Sequence, residues 1–380
     1  MKVYAVVLLS MLNSIGQRGS KVAIALFALE LGAGAGAVGV LAALFATFPL
    51  LLAVPAGRLS DRFGVRVPIV CGSLTMAAGL VIAFFTRSVP LLFLCPALIG
   101  LGHIFFHVSI HNLVGSLGAS GERTRNFSTF ALGSSVAAFI GPSLAGFAID
   151  LAGFATTFTL LACVSAASGL LVLVHRGLIP AHVRHEEEEH AKSAFDLLAI
   201  PGLRRTLIMS GVTLTGIELF NFYLPIYGRS IGLSASVIGI ILSSYAVAGF
   251  IVRSVMHRLA QRYTEVGVLT GSLFVAALTY FALPALAAGW LLAAAAFSLG
   301  LALGSAQPLT IILTYNHAPA GRSGEALGMR ITINQVTHIV VPIVFGTLGS
   351  AFGIAPVFLV NALILAGSGA LNRGNVEKRE

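Results

Sequence analysis

The sequence predicts an all-α polytopic membrane protein with twelve transmembrane helices in two related six-helix bundles. Its composition, its regularly spaced apolar segments and an internal repeat support this fold class. Of the 380 residues, 57% are hydrophobic and only 10% are charged, and the mean hydropathy is +0.95. Soluble domains carry about 25% charged residues, so the composition argues strongly against a water-soluble enzyme. Cys71, Cys95 and Cys163 all lie in apolar segments, which argues against a disulfide framework and a zinc-binding motif.

The chain contains twelve segments that could cross a bilayer. A membrane-spanning helix needs about 20 apolar residues, and Gly, Pro or charge clusters separate the segments. Their predicted bounds are 3–29, 37–56, 67–86, 90–112, 127–149, 154–175, 206–228, 235–254, 266–284, 290–313, 326–348 and 354–372. The first apolar run is too long for a cleavable signal peptide and lacks a convincing small-residue cleavage site.

The positions of Lys and Arg predict the orientation. If the N-terminus is cytoplasmic, most of the 23 Lys and Arg residues fall in cytoplasmic segments, and only Arg87 and Arg229 fall on the outer side. Positive charge collects on the cytoplasmic side of membrane proteins, so both termini are predicted to be cytoplasmic. This distribution also explains the net charge of +9 without a nucleic-acid partner.

The longest polar stretch, 176–205, divides the spans into two sets of six. We predict an N-terminal bundle at 1–176, a cytoplasmic linker at 177–205 and a C-terminal bundle at 206–380. The acidic run Glu186–Glu189 is interpreted as part of a solvated linker. Regulatory or metal-sensing use is the alternative interpretation.

The two halves are related by a constant offset of 200 residues. Matching pairs include Arg58 and Arg258, Arg62 and Arg262, Gly100 and Gly300, Pro142 and Pro342, and Gly146 and Gly346. Parallel repeats of six helices about an axis normal to the membrane are typical of one large class of secondary transporters. The offset therefore favours a protein that moves a substrate by rocking one half against the other.

The loop between the second and third spans carries a specific motif, GRLSDRFGVR, at residues 57–66. It contains two glycines that permit a tight turn, and Asp61 beside several cations. The loop resembles the signature of the major facilitator superfamily, and the resemblance covers the whole chain. It implies a conformational switch in which Asp61 braces the outward-open state against the start of the eleventh helix. The residues assigned to this switch are Gly57, Asp61, Arg62, Gly64 and Arg66. A positively charged anchor with a turn is the alternative.

The fifth span contains a second segment of this kind, Gly141-Pro142-Ser143-Leu144-Ala145-Gly146. It is similar to the family signature associated with antiporters that exchange drugs or metabolites for protons. Small residues at this spacing let helices approach closely, and Pro142 can bend the helix. Gly141, Pro142 and Gly146 are therefore assigned to the conformational switch. The upstream glycine of the signature is replaced by Ala137 or displaced to Gly133, and a packing role is equally compatible with the residues.

Ionisable side chains inside the spans indicate the transport site. Each costs about 2.5–3.5 kcal/mol at mid-membrane depth, so we expect it to face a cavity or a partner. The resemblance implies that the first, fourth, seventh and tenth helices line the cavity. Arg18 and Glu218 are equivalents in the repeat, and we predict that they form a charge pair that opens during transport. Glu218 is then the leading proton-coupling residue, held ionised by a cation. A fixed pair, or Arg18 extending outward with Lys21, is the alternative.

Three histidines, His103, His107 and His111, share one face of the fourth span. Neutral imidazole can carry protons or bind metals. We predict proton coupling or cavity lining for His103 and His107, with polar packing or transition-metal binding as alternatives, and we assign no metal site. The other predicted cavity residues are Asn13, Gln17, Lys21, Asn221, Gln307, Asn334 and His338. Arg330, near the cytoplasmic end of its span, is interpreted as an interfacial anchor.

Together these features predict a transporter rather than an enzyme. The sequence has no G-x-x-x-x-G-K-[ST] loop for a nucleotide, and no cofactor is predicted. We expect proton-coupled efflux of a small organic molecule by alternating access, carried out by a monomer in a bacterial cytoplasmic membrane. The expected partners are the substrate, protons and the lipid bilayer. The surplus of Arg18 and Lys21 over Glu218, to which Arg330 adds if it faces the cavity, favours an anionic or zwitterionic substrate. The alternatives are proton-coupled import of a small organic anion and a membrane receptor that does not transport.

Overall fold

A computed structural model describes residues 2–116, 120–175, 194–319 and 322–373. Within these ranges the chain is helical apart from short connections, and no strand occurs. The helices are α1 (Lys2–Glu30), α2 (Ala35–Phe63), α3 (Arg66–Phe85), α4 (Val89–Leu92), α5 (Leu94–Ser116), α6 (Ser120–Val174), α7 (Pro201–Ser230), α8 (Ala235–Tyr263), α9 (Glu265–Ala282), α10 (Gly289–His317), α11 (Ser323–Phe352) and α12 (Ile354–Arg373). Short 3-10 helices occupy Ala194–Ala199 and Leu283–Ala285.

The described helices account for the twelve predicted spans. Ten stretches of the described residues are long and apolar enough to cross a membrane. One of them, Thr129–Val174, is 46 residues long and contains two spans, because Gly153 interrupts the helical backbone with φ 77° and ψ 173°. α1 is not among the ten because polar residues between Asn13 and Lys21 interrupt its apolar sequence. Its 29 residues nevertheless exceed the length that a span requires. The predicted all-α, twelve-span fold class is confirmed.

The connection between α2 and α3 differs from the prediction. α2 continues to Phe63, beyond the predicted end of the second span at 56, so Gly57 lies inside a helix. The prediction that Gly57 helps to form a tight turn is therefore wrong. Helical hydrogen bonding continues through the charged end of the span because nothing in that segment forbids helical backbone. Gly64, with φ 76°, ends the helix.

The internal repeat is visible in the backbone. Positive φ values occur at Gly32 and Gly232 (83° and 81°), at Gly153 and Gly353 (77° and 85°), and at Gly64 and Thr264 (76° and 61°). After α1 the amide of Gly32 donates to the carbonyl of Leu29, and after α7 the amide of Gly232 donates to that of Arg229. Each turn also has a hydrogen bond that spans five residues, which completes a Schellman motif. The two halves therefore end their first helices in the same way.

The chain divides by its contacts into two compact units. Unit 1 comprises Met1–Glu187 and Gly228–Ser243, and unit 2 comprises Glu188–Tyr227 and Ser244–Glu380. Unit 1 thus includes the end of α7 and the beginning of α8, which lie within the predicted C-terminal bundle 206–380. The end of the predicted linker 177–205 is helical, since Ala194–Ala199 is a 3-10 helix and α7 begins at Pro201. The run Glu186–Glu189 lies outside the described residues.

Buried hydroxyl pairs connect the helices inside each unit. In unit 1, α1 packs on α6, and α3 packs on α5 and α6. There the Oγ atoms of Ser73 and Ser168 lie 2.8 Å apart. In unit 2, α9 packs on α10 and α12, and the Oγ atoms of Ser272 and Ser305 lie 2.7 Å apart. Small and hydroxyl side chains are typical of helix contacts in membranes, and these contacts fix the helices that carry the polar residues described next.

Candidate functional site

Polar residues of α1 and α5 lie together in unit 1. We call this set the unit 1 polar cluster, and its members are Asn13, Gln17, Arg18, Lys21, His103 and His107. Nδ1 of His103 lies 3.3 Å from Oδ1 of Asn13, which is fully buried. Arg18 is exposed but lies within electrostatic range of both histidines. The structure therefore brings together the predicted site residues of the first and fourth spans.

Lys21 and Gln17 are half-buried members of the same cluster. Nζ of Lys21 lies 5.8 Å from the centroid of the Phe45 ring on α2. A cation at this distance from an aromatic face is attracted by the ring quadrupole. The carbonyl of Gln17 accepts a hydrogen bond from Ser20 at 2.8 Å. Lys21 is thus held near α2, while Arg18 remains accessible.

The three histidines of α5 form a continuous row of rings. The ring centroids of His103 and His107 are 5.2 Å apart, and those of His107 and His111 are 4.2 Å apart. His111 also makes an edge contact with Phe130, with centroids 4.8 Å apart. Among the described residues, no three His, Cys, Asp or Glu side chains are grouped as metal ligands. The row therefore consists of imidazoles in contact with one another and with an aromatic ring.

The glycine that begins the second signature segment positions Arg18. A Cβ atom at Gly141 would lie 2.9 Å from Cβ of Arg18 and 3.1 Å from the carbonyl oxygen of Ile15. A Cβ atom at Gly19 would lie 3.1 Å from the carbonyl oxygen of Gly141. Only glycine lets the backbones of α1 and α6 approach so closely. The segment thus sets the position of the helix that carries Arg18.

The remainder of the segment contacts the beginning of α8, within unit 1. A Cβ atom at Gly239 would lie 2.6 Å from the carbonyl oxygen of Pro142, and Gly146 packs against the backbone of Ala235. Ser143 and Ser243 are hydrogen bonded through their Oγ atoms at 2.6 Å. This tight contact explains why unit 1 includes the beginning of α8.

Sequence reasoning missed Asp150, which lies near the end of the first span of α6. Its two carboxylate oxygens accept hydrogen bonds from the backbone amides of Ala235 at 3.1 Å and Ser236 at 2.7 Å. A carboxylate at a helix N-terminus satisfies amides that have no partner inside the helix. The only signal in the sequence was an acidic residue at the end of an apolar span.

The structure describes the surroundings of only part of the switch motif at residues 57–66. Gly64 is buried and Arg66, the first residue of α3, is half-buried. The side chains of Asp61 and Arg62 lie outside the described residues, although their backbone belongs to α2. The predicted roles of Asp61 and Arg62 therefore stay predictions.

Unit 2 contains a second set of polar residues on α7, α10 and α11. We call it the unit 2 polar cluster, and its members are Ser210, Glu218, Gln307, Thr310, Arg330, Asn334 and His338. Oε1 of Glu218 lies 3.2 Å from Nδ1 of His338, with 15% and 28% of these side chains exposed. Closer to the N-terminal ends of α7 and α11, Oγ of Ser210 donates to Oδ1 of Asn334 at 3.1 Å. Two polar contacts thus connect α7 with α11.

Arg330 is buried, with only 7% of its surface exposed. Its Nη2 donates to Oγ1 of Thr310 at 3.1 Å and to the carbonyl oxygen of Gln307 at 3.4 Å. Its Nε is buried without a hydrogen-bond partner. An interfacial anchor extends its guanidinium into water or head groups. The interpretation of Arg330 as such an anchor is therefore wrong, because packing of α11 against α10 encloses the side chain.

Asn221 does not join this cluster. It is exposed, and its Nδ2 donates to the carbonyl of Ile217 on its own helix at 2.9 Å. Ser210 and Thr310 belong to the cluster but were not predicted. Hydroxyl residues are common in membrane helices, where they often hydrogen bond to their own backbone, so the sequence alone did not distinguish these two.

Comparisons with known proteins agree with this architecture. The sequence model described as Major Facilitator Superfamily matches residues 6–227 and 206–374. Multidrug resistance protein 1 of Bacillus subtilis (strain 168) is 23% identical over 327 residues, which cover 84% of this chain and 82% of the relative. Multidrug resistance protein MdtG of Enterobacter lignolyticus (strain SCF1) is 23% identical over 317 residues, which cover 81% of this chain and 75% of the relative.

Solved structures show the same fold at lower sequence identity. The crystal structure of nucleoside transporter NupG has a TM-score of 0.81 and 15% identity, and the match covers 98% of this chain and 99% of NupG. A bacterial homolog of the human lysosomal transporter Spinster has a TM-score of 0.80 and 13% identity, covering 98% of this chain and 95% of the homolog. The family match extends over nearly all of the described helices, so the protein is a membrane transporter that belongs to the Major Facilitator Superfamily.

Proposed function

We propose that this transporter exports a small organic molecule in exchange for protons across a bacterial cytoplasmic membrane. The single observation that carries the proposal is the contact between Glu218 and His338 at 3.2 Å on α7 and α11. Two relatives named multidrug resistance proteins support the direction. The transporter acts as a monomer by alternating access, with both termini cytoplasmic. Residues 1–176 and 206–380 form the two bundles on either side of the linker.

The Glu218–His338 pair is suited to accepting and releasing one proton. When Glu218 is ionised, Nδ1–H of His338 donates to it, and when Glu218 is protonated, its hydroxyl donates to Nδ1. Both states keep a hydrogen bond, so a proton can enter or leave without exposing a bare charge to the membrane interior. Arg18 is the second proposed partner of Glu218. It alternates with His338 as the partner of Glu218 during the transport cycle, while His103 and His107 relay protons beside it.

Proteoliposomes under an imposed pH gradient test this function. With an acidic interior, proton antiport drives an external probe inward, and we expect this for norfloxacin, a zwitterion, in preference to the cation ethidium. Glu218→Gln should abolish the gradient-driven component. Glu265→Gln is the matched control, because Glu265 lies in the same unit and accepts a hydrogen bond from Asn316 at 3.3 Å. Movement of neither probe, or unchanged norfloxacin movement in Glu218→Gln, would contradict the proposal.

Import of a small organic anion is the second candidate function. It is favoured by the excess of cationic side chains, Arg18, Lys21 and Arg330, over Glu218 in the two clusters. The same vesicles distinguish the two directions. Symport requires an acidic exterior for inward movement of an anion such as carboxyfluorescein, whereas antiport requires an acidic interior. A receptor that does not transport would show the same fluxes after substitution of Asp61 or Glu218.

A further inference from the structure

We propose that Arg330 binds a carboxylate of the transported molecule at a subsite inside unit 2, between α10 and α11. This inference rests on the proposed function, because it assigns a chemical class to the substrate of that transporter. Its basis is a buried cation whose hydrogen-bonding groups are only partly used. Arg330 is the most deeply enclosed cation of the unit 2 polar cluster, at 7% exposure.

The guanidinium of Arg330 has donors available. A guanidinium carries five N–H donors and no acceptor. In Arg330 the hydrogen bonds to described residues all come from Nη2, which donates to Thr310 and to the carbonyl of Gln307. Nε is buried without a partner. A buried donor that lacks an acceptor is costly, and a buried charge more so, which indicates that an acceptor completes this site.

The acceptor is not a described carboxylate of unit 2. Glu218 is in contact with His338. Asp196 accepts two hydrogen bonds from Arg322, at 2.6 and 2.9 Å, and Glu265 accepts one from Asn316. A cation buried in a membrane protein is expected to face an anion, and here the described side chains do not supply one. The described carboxylates of unit 2 thus leave Arg330 without a counter-ion, and in this proposal an anion from outside the chain takes that role.

The neighbouring groups suit a carboxylate. Asn334 lies one turn after Arg330 on the same face of α11, about 6 Å along the axis. Its Oδ1 accepts a hydrogen bond from Ser210, so the two N–H donors of its Nδ2 are not used in that contact. Arginine and amide N–H groups together match the paired oxygens of a carboxylate. His338, which contacts Glu218, lies about 12 Å from Arg330 along the axis of α11, and this pair would accommodate the cationic group of a zwitterion.

Binding measured without a gradient tests the subsite. The protein is placed in nanodiscs of phosphatidylcholine, and the thermal shift with benzoate, succinate and the uncharged benzamide is recorded. We expect both carboxylates, but not benzamide, to raise Tm. Arg330→Gln should weaken carboxylate binding at least about tenfold, the effect of losing a charge-assisted hydrogen bond. Arg330→Lys keeps the charge and should retain part of the affinity.

Three further variants keep this test decisive if one of the Arg330 variants folds poorly. Arg253→Gln removes another arginine of unit 2, whose Nε donates to the carbonyl of Gly304 at 3.4 Å, and should bind both carboxylates normally. Asn334→Asp leaves Arg330 in place but adds a carboxylate one turn away. It should abolish binding by supplying an internal counter-ion. Glu325→Gln removes the acidic residue closest in sequence to Arg330, and binding should persist.

A lipid phosphate has the same oxyanion chemistry, so a second set of nanodiscs contains phosphatidylglycerol. The proposal is overturned if neither carboxylate binds, if Arg330→Gln binds both normally, or if phosphatidylglycerol alone gives the Arg330-dependent stabilisation. Proton coupling is separate from these outcomes. A protein that binds benzoate through Arg330 but moves no probe under a pH gradient would contradict the proposed function and leave the subsite intact.

Discussion

The two sequence repeats carry side chains of different charge at equivalent positions. α1 and α5 carry cationic or imidazole side chains at five positions: Arg18, Lys21, His103, His107 and His111. The positions 200 residues later carry one carboxylate and four uncharged side chains: Glu218, Asn221, Leu303, Gln307 and Ile311. The imidazole of the unit 2 polar cluster lies instead on α11, at His338, where the first repeat has Ala138. A duplicated backbone can therefore hold two different polar clusters.

The backbone turns diverged far less than the polar residues. Gly32 and Gly232 end their helices with the same hydrogen bonds and nearly the same φ. Even where the residue changed, from Gly64 to Thr264, φ stayed positive. Helix lengths and turns are thus retained because they set the fold, whereas side chains on the helix faces were free to specialise. Exchanging residues between equivalent positions tests this distinction.

The largest expected effect comes from replacing His338 of the second repeat with alanine, the residue at the equivalent position 138 of the first repeat. His338→Ala removes the hydrogen-bond partner of Glu218 on α11, and we expect gradient-driven transport to fall at least about tenfold, as for loss of a hydrogen bond to a charged group. Initial rates of norfloxacin movement in proteoliposomes measure it. His317→Ala is the matched control, since His317 contacts Thr206 at 3.2 Å and lies outside the cluster. Equal rates for both variants would show that the pair is structural.

Sequence reasoning succeeded where the signal is local and failed where it depends on helix rotation. Apolar length and the repeat predicted the twelve spans, and Gly153 separates two of them as the break in the pattern suggested. The partner of Glu218 could not be predicted, because it depends on which face α11 turns towards α7. The burial of Arg330 has the same origin, since a position near the end of a span says nothing about packing between α10 and α11.

A second exchange moves a residue from the second repeat into the first. Position 341 is valine, and position 141 is glycine. In Gly141→Val, the new Cβ would lie 2.9 Å from Cβ of Arg18, so α1 and α6 must separate. We expect a loss of about 1–3 kcal/mol in the free energy of unfolding, typical of overpacking. Thermal unfolding of the purified protein measures the loss.

The matched control for this exchange is Gly271→Val, because a Cβ atom at Gly271 meets nothing within 4 Å. Its effect should stay within about 0.5 kcal/mol, as for surface substitutions. If Gly141→Val unfolds at the same temperature as Gly271→Val, the close approach of α1 and α6 is not required by the first repeat.

A smaller effect of opposite sign is expected at the turn before α9. Thr264 has φ 61° and ψ 156°, a region that costs a non-glycine residue about 1–3 kcal/mol. Its Oγ1 accepts a hydrogen bond from the amide of Gly267 at 3.1 Å, and replacing such a cap with glycine costs only a few tenths of a kcal/mol. Thr264→Gly, the residue of the first repeat, should therefore stabilise the protein by about 1 kcal/mol.

Thermal unfolding again provides the measurement for Thr264→Gly, and Thr264→Ser separates the two contributions. Serine keeps the capping hydroxyl and the unfavourable backbone conformation, so Tm should stay close to that of the original protein. A fall in Tm for Thr264→Gly would mean that the capping hydrogen bond outweighs the backbone strain, and that the second repeat gained rather than lost stability at this turn.

The smallest effect concerns the 3-10 helix Ala194–Ala199, which precedes α7. Hydrogen bonds from Arg322 hold the pKa of Asp196 below its usual range. A carboxyl whose pKa is lowered by folding adds stability above its unfolded pKa, about 3.9, and loses it as pH falls through the lower folded value. Asp196→Asn should therefore lower Tm slightly at pH 7, and the difference should shrink as the pH falls below about 3.9. Because the pair is exposed, salt should reduce the difference, and a difference that persists in acid would show that Asp196 acts through packing of this helix instead.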